Sequence, residues 1–132
     1  MNGYVASIEK ETKKNTDFRQ VVYTGKNSQL VLMSLKPKEE IGEEIHDHVD
    51  QFFRFETGEG KVIIDGVEHR VKDGMAVIVP AGAKHNVVNT SNRSNLKLYT
   101  IYSPPNHQDG VVHHTKAGAM ASEEHFDGKT TE

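Results

Sequence analysis

Between Phe18 and Tyr102, short runs of β-branched and apolar residues alternate with turn residues, and this pattern constrains the fold more than any other feature of the chain. The turns recur roughly every 8–12 residues, a spacing typical of sandwiches and barrels. The strongest turn signal is Asp65-Gly66, which predicts a tight hairpin between Lys61–Ile64 and Val67–Val71. No part of the region keeps a helical apolar period, which leaves no crossover helices. We therefore expect antiparallel sheets.

The runs predict about nine strands and divide the chain into three parts. Residues 1–16 form an N-terminal arm, loose or a short edge strand, and residues 17–105 form an all-β barrel. Residues 106–132 form a C-terminal tail, irregular or with a short helix over Lys116–His125. The predicted strands are Arg19–Tyr23, Gln29–Leu35, Glu44–His48, Phe52–Glu56, Lys61–Ile64, Val67–Val71, Met75–Val79, His85–Asn89 and Leu96–Tyr102.

Length, charge and composition exclude several classes of protein. The 132 residues are enough for one domain, and the net charge of -3 comes from interspersed acids and bases, so we expect no nucleic-acid partner. The N-terminus lacks the apolar core of a signal peptide, and the longest apolar run is too short to cross a bilayer. We expect a cytoplasmic protein without a membrane partner. Since the chain has no cysteine, any metal would be held by nitrogen and oxygen ligands.

Met75–Val79 is apolar at every position, whereas a half-exposed strand would alternate. We therefore expect both faces of this strand to be covered. Two arrangements would do this: a homodimer, in which a second copy covers the outer face, or a monomer whose own terminus folds back over it.

Two histidines two positions apart, His46 and His48, point the same way only on an extended backbone, because strand side chains alternate faces. On a helix they would diverge by roughly 200°. The pair therefore suits a chelate on the predicted strand Glu44–His48. A third imidazole, His85, follows the turn Pro80-Ala81-Gly82, and we expect the fold to bring the three together.

Two motifs that contain these histidines resemble those of the cupins, proteins built as a double-stranded β-helix or jelly roll. The second cupin motif is complete, and the first is present in variant form. The resemblance covers residues 28–103 and implies a jelly-roll barrel with a metal ion among the motif side chains. The matching residues are Gly42, His46, His48, Gln51 and Gly58 in the first motif, and Gly74, Pro80, Gly82, His85 and Asn89 in the second.

The first motif departs from the cupin pattern at the position where a glutamate is usual. Gln51 has the family's spacing to Gly58, but Asp50 would be in phase with the two histidines if the strand ran straight on. We favour Gln51 because it shares a phase with Phe53 and Phe55, two large apolar residues that belong inside, and a corner at Val49-Asp50 would reset the phase. Asp50 stays the alternative.

The resemblance thus implies a metal site of His46, His48, Gln51 and His85, with Phe53 and Val87 lining the pocket. Gln51 would ligate through its amide oxygen while its NH2 group donates elsewhere. Four neutral ligands leave a divalent charge uncompensated, so such a site should favour an anionic or enolate-like ligand. The ion would be one divalent transition metal, Fe, Mn, Ni, Zn or Cu. The alternative is a jelly roll with a decayed, empty site.

The resemblance implies a metal-binding protein acting on small molecules. Our first hypothesis is an enzyme that isomerises, epimerises or cleaves a sugar acid or a similar oxyanion or carbonyl compound. The second is a module that binds a small molecule or metal without turnover, and a third is a metal-dependent dioxygenase. Whether the protein is an enzyme stays open, since fold does not fix function and no residue is assigned as catalytic.

Overall fold

The computed structural model describes all 132 residues. Two antiparallel sheets, with strand orders β10-β1-β2-β9-β4-β7 and β3-β8-β5-β6, face each other and enclose the core. The elements are α1 (Ile8–Lys14), β1 (Arg19–Thr24), β2 (Gln29–Leu35), β3 (Glu44–Ile45), β4 (Asp50–Thr57), β5 (Glu59–Ile64), β6 (Val67–Lys72), β7 (Ala76–Val79), β8 (Lys84–Asn89), β9 (Leu96–Ser103), β10 (Val112–His113) and α2 (Lys116–Ala121).

The all-β architecture predicted from the turn spacing and the jelly roll implied by the resemblance are confirmed. The hairpin at Asp65-Gly66 joins β5 to β6, and Ile64 pairs with Val67. Asp65 and Gly66 have φ angles of 46° and 83°, as a turn whose twist matches that of the two strands requires.

The predicted phase of β4 is also confirmed, since Gln51, Phe53 and Phe55 are all buried. Glu56 is buried too, but its Oε1 lies 2.9 Å from Nε of Arg54, and helix α1 contacts this strand. The register of β4 against β9 shifts between Phe55 and Thr57, which leaves Glu56 as the extra residue of a β-bulge.

The predicted strand Glu44–His48 is wrong in its second half. Strand β3 contains only Glu44 and Ile45, and Asp47-His48 forms a turn before β4. The start of the N-terminal arm is loose, as predicted, since residues 1–7 are exposed and have no regular structure, but the sequence analysis did not predict the helix that follows. Residues 8–14 form α1, with two acidic residues in its first turn and two basic residues in its last turn. Such charges stabilise a short helix.

The C-terminal tail contributes a strand that the sequence did not predict. Val112 and His113 form β10 and pair with Gln20 and Arg19 of β1. The predicted helix is present but shorter, ending at Ala121, and Thr115 caps its N-terminus by accepting a hydrogen bond from Gly118 N.

Strand β7 lies at the edge of its sheet, and one of its faces is open. Val79 is buried, but Ile78 is 66% exposed. We expected both faces of this strand to be covered, but this chain leaves one of them exposed. The homodimer, in which a second copy would cover that face, stays a prediction. Neither helix has the length and apolar composition needed to cross a lipid bilayer.

Gln29 fixes the start of the tail to the barrel. Its side chain is 1% exposed. The Oε1 atom accepts hydrogen bonds from the backbone N atoms of Asn106 (3.1 Å) and His107 (2.9 Å), and Nε2 donates to the His107 carbonyl (2.8 Å). These bonds hold His107 close to the residues described next.

Candidate metal centre

His85 lies near the start of β8 with its side chain buried inside the barrel. The ring Nδ1 is 3.1 Å from the Ala83 carbonyl, which can only accept a hydrogen bond. This contact places the proton on Nδ1 and leaves the lone pair on Nε2 free. An imidazole held in this way is ready to bind a metal ion through Nε2.

His46 directly follows β3, and its ring lies beside that of His85 with 5.3 Å between the ring centroids. Its backbone carbonyl accepts a 2.8 Å hydrogen bond from Gly82 N, so the turn before β8 holds the two histidines together. Gly82 has a φ of 88°, which explains why glycine suits this turn. The structure thus brings together the histidines of the two motifs.

Gln51 is 3% exposed and points inward from β4. Its Nε2 donates a 3.0 Å hydrogen bond to Thr100 Oγ1, whereas its Oε1 is buried without a hydrogen-bond partner. Asp50 is exposed, and its carboxylate accepts a hydrogen bond from Ala81 N. The geometry therefore favours Gln51 over Asp50 as the inward-facing ligand.

His48, the fourth predicted ligand, lies in the turn after His46 and is exposed. Because β3 ends at Ile45, the extended backbone that would aim His46 and His48 in one direction is missing. The structure does not bring His48 to the other three residues.

Glu44 lies where the sequence analysis placed no ligand. Its Oε2 is 3.1 Å from His46 Nε2, but the two groups are poorly aligned, and His46 Nε2 has no hydrogen bond. Burial raises the pKa of the Glu44 carboxyl, but the contact with His46 and the charges of Arg19 and His85 outweigh it and lower that pKa overall. Glu44 therefore carries a negative charge at neutral pH.

Phe53 and Val87, the predicted lining residues, are each 1% exposed. The Phe53 ring meets the His85 ring edge to face, with centroids 6.3 Å apart. Val87 follows His85 on the same face of β8. Both residues form an apolar wall against the histidines, which raises the cost of leaving a nearby polar atom unpaired.

A second group of polar side chains lies behind His46. The Tyr102 ring is 5.9 Å from the His46 ring between centroids, and the Tyr102 hydroxyl is 3.2 Å from His107 Nε2. His107 Nδ1 is in turn 2.7 Å from Glu124 Oε1. Burial is the main cause of a strongly raised pKa for Tyr102, which keeps its hydroxyl protonated.

Arg19 supplies the positive charge of this interior. It is 9% exposed, its Nε is buried without a partner, and no carboxylate lies within 4.0 Å of its guanidinium. The guanidinium lies 5.4 Å from the Phe18 ring centroid. Its charge lowers the pKa values of Glu44 and Glu124, which places it near both carboxylates. A buried cation without a direct counter-ion is costly unless a ligand or a network compensates it.

Sequence reasoning missed Glu44, Arg19, His107, His113 and Glu124. The His113 side chain is only 11% exposed, and its Nε2 lies 3.7 Å from Glu124 Oε1. Of these residues, only Glu44 could have been identified from the sequence, because it lies two positions before His46 and shares its face on an extended backbone.

The polar atoms around His46 fit a metal ion in part. The Nε2 of His46 and the Oε1 of Gln51 are buried without hydrogen bonds, and His85 Nε2 has a free lone pair. Two imidazoles that share an ion through nitrogens about 2.1 Å away have ring centres roughly 4.5–6.5 Å apart, and the observed 5.3 Å falls in this range. His48 does not fit. As the side chains stand, no three His, Asp or Glu residues are grouped closely enough to hold an ion.

Comparison with known proteins agrees with the fold and with the two motifs. The family model described as "Cupin domain" matches residues 31–102, more than half of the chain. The uncharacterized protein YrkC of Bacillus subtilis (strain 168) is 49% identical over 127 residues, which cover 92% of this chain and 68% of that protein. The chain therefore belongs to the cupin family.

Two further relatives extend this result. The uncharacterized protein L612 of Acanthamoeba polyphaga mimivirus is 45% identical over 113 residues, covering 83% of this chain and 70% of that protein. The crystal structure of BH2720 from Bacillus halodurans has 48% sequence identity and a TM-score of 0.89, and the match covers 92% of this chain and 96% of that one. Most of the chain is thus shared with these proteins.

Proposed function

We propose that this protein is a metal-binding cupin that acts as an enzyme on a small sugar acid or a similar oxyanion or carbonyl compound. The observation that carries the proposal is that His46 Nε2 and Gln51 Oε1 are both buried without a hydrogen bond, next to His85. Leaving a buried polar atom such as Gln51 Oε1 unpaired costs about 1–3 kcal/mol, a cost that a bound ion would remove.

The residues around these atoms would divide the work. His46, His85 and Gln51 would hold the ion, and Phe53 would keep one side of it dry. When bound, a divalent transition metal, Fe, Mn, Ni, Zn or Cu, supplies Lewis-acid polarisation of a carbonyl or enolate oxygen. The Tyr102 hydroxyl donates to His107 Nε2 and lies on the other side of His46, where its oxygen could accept a hydrogen bond from a bound molecule.

The preference for an oxyanion rests on Arg19. Its guanidinium is buried and has no ion pair, and guanidinium groups bind carboxylates through two parallel hydrogen bonds. A substrate with a carboxylate at one end and a carbonyl or hydroxyl at the other could therefore contact both Arg19 and the metal ligands.

The second candidate is a binding module without turnover, and one observation favours it. A groove of about 580 Å³ lies along β5 and β6, lined mostly by polar residues such as Lys61, Glu68 and Arg70, and none of the predicted ligands borders it. A smaller cavity of about 140 Å³ reaches His85 but neither His46 nor Gln51. The interior is therefore packed by the protein's own side chains, which suits storage of an ion more than passage of a substrate.

Elemental analysis of protein purified without chelators tests the proposal. We expect about one metal ion per chain in the wild type and in His69→Ala, a control with an exposed histidine on β6, and a loss of metal in His46→Ala and His85→Ala. Equal trace metal in all four proteins would contradict it.

The metal-loaded protein, incubated with sugar acids and keto acids, then separates the candidates. Conversion of a substrate without oxygen uptake indicates an isomerase or lyase, and conversion with oxygen uptake indicates a dioxygenase. Saturable binding without a product indicates a binding module.

A further inference from the structure

The i, i+2 pair that faces the barrel interior is Glu44 and His46, not His46 and His48. On β3, Glu44 is half-buried, Ile45 is 55% exposed, and the His46 side chain that follows is 12% exposed. This alternation is that of a strand with Glu44 and His46 on its inner face. Since the backbone turns at Asp47-His48, the extended geometry required for a chelating pair holds two residues earlier than the histidine spacing predicts.

Strand pairing places the same carboxylate opposite the histidine of the second motif. Glu44 of β3 is the direct antiparallel partner of His85 of β8. Side chains of directly paired residues lie on the same face with Cβ atoms about 4.5–5.5 Å apart. Glu44 is therefore fixed by the backbone between His46 and His85.

The distance within the pair matches that between neighbouring ligands of one ion. Ligand atoms about 2.1 Å from a metal lie about 3.0 Å apart in an octahedral site and about 3.4 Å apart in a tetrahedral one. Glu44 Oε2 and His46 Nε2 are 3.1 Å apart, yet no hydrogen bond satisfies the nitrogen. The two atoms are thus close enough to bind one ion, and no well-aligned hydrogen bond joins them.

As they stand, Glu44, His46 and His85 are not grouped closely enough to hold an ion. We propose that Glu44 takes the place expected for His48, so that Glu44, His46, Gln51 and His85 form the metal site once their side chains turn toward one ion, and His48 remains outside it. The inference rests on the proposed metal-binding function. It also changes the charge of the site, because one carboxylate reduces the net charge of a divalent centre from +2 to +1. The remaining positive charge and the nearby Arg19 would still favour an anionic ligand.

Titration of the metal-free protein with Co²⁺, followed by calorimetry and by the visible absorption of the bound ion, tests the ligand set. We expect Glu44→Gln to weaken Co²⁺ binding at least tenfold. His48→Gln and the control Glu43→Gln, which alters the exposed neighbouring carboxylate, should change it less than twofold.

Glu44→His separates a direct ligand from a residue that only positions His46. An imidazole at this position can bind Co²⁺, but it lacks the negative charge by which a carboxylate would hold His46 in place. We expect this variant to recover most of the affinity lost in Glu44→Gln and to show a shifted Co²⁺ absorption spectrum. Thermal melting of the metal-free variants checks that each of them folds.

Three results would overturn the inference. If His48→Gln loses Co²⁺ and Glu44→Gln keeps it, the ligand set is the one predicted from the motif, and the proposed function stands. If Glu44→His binds no better than Glu44→Gln, Glu44 acts only through His46. If the wild type binds no metal, both the inference and the metal-dependent function fail.

Discussion

The carboxylate of Glu124, in the C-terminal tail, lies 2.7 Å from Nδ1 of His107 and accepts a second hydrogen bond of 2.8 Å from Gln108 N. Both side chains are 9% exposed. A segment without regular secondary structure thus places a buried charge against the barrel and links it, through His107, to the Tyr102 hydroxyl beside His46.

Glu124→Ala should destabilise the protein by about 1–3 kcal/mol, because it leaves Nδ1 of the buried His107 without an acceptor and removes the bond from Gln108 N. Urea unfolding followed by circular dichroism measures the change. Glu123→Ala is the matched control, since Glu123 is the exposed neighbouring carboxylate, and it should lie within about 0.5 kcal/mol of the wild type. Equal losses in the two variants would show that the tail contact has no special role.

Stability should fall as the pH is lowered from neutrality, and His107 is the first cause. Burial lowers its pKa from the usual 6.5, although the Glu124 carboxylate acts in the opposite direction. The unfolded chain therefore binds a proton on this residue at a higher pH than the folded chain does. The free energy of unfolding therefore falls as the pH drops below about 6.5, until His107 is protonated in the folded state as well.

Glu124 adds a second loss at lower pH. Burial raises the pKa of its carboxyl, but the hydrogen bonds from His107 and Gln108 outweigh it and lower that pKa below 4.5. The stabilisation from the Glu124 carboxylate is fully present above pH 4.5, and it is lost as the pH falls through the pKa of this group in the folded state. His107→Asn should flatten the pH dependence of unfolding between about pH 5 and 7, whereas His114→Asn, at an exposed ion pair with Asp17, should not.

Asn89→Ala should be among the most destabilising polar substitutions in the chain. The side chain is fully buried, its Nδ2 lies within hydrogen-bond distance of three backbone carbonyls, and its Oδ1 accepts from Ser91 N. Losing these hydrogen bonds should lower the free energy of unfolding by about 3 kcal/mol or more, since each unsatisfied buried group costs about 1–3 kcal/mol. Urea unfolding measures the change. Asn92→Ala, at an exposed position in the same loop, is the control.

Ile78→Arg should convert a dimer into a monomer if the open face of β7 is the contact between two copies. Ile78 is 66% exposed on an edge strand, where the backbone groups and an apolar side chain are both available to a partner. Light scattering of the wild type, the variant and Val67→Arg, a control at an exposed apolar residue on β6, measures the masses. A monomeric wild type would exclude the dimer.

The second motif could be predicted from sequence because each of its residues has a local reason to be there. Gly74 and Gly82 adopt φ angles of 86° and 88°, and Asn89 binds the backbone of the neighbouring loops. The phase of Gln51 and Phe53 could be predicted as well, since large apolar side chains fix which face of a strand is buried.

The first motif was harder because its strand has only two residues. Nothing in the spacing of His46 and His48 shows that the chain turns between them, and a turn removes the face that they were expected to share. Glu44 was passed over because a glutamate on a strand is usually solvated. His107 and Glu124 are 17 positions apart in segments without periodicity, so only the folded structure brings them together.

The way Gln29 binds the tail has a consequence for how the molecule opens. Within the tail, the Gln29 side chain bonds only to backbone atoms of residues 106 and 107, so this attachment does not depend on which side chains those residues carry. The amides of Asn106 and His107 should therefore exchange with deuterated water as slowly as amides of the central strands, although they lie in a loop. In Gln29→Ala they should exchange at rates typical of surface loops, while amides of β4 keep their protection.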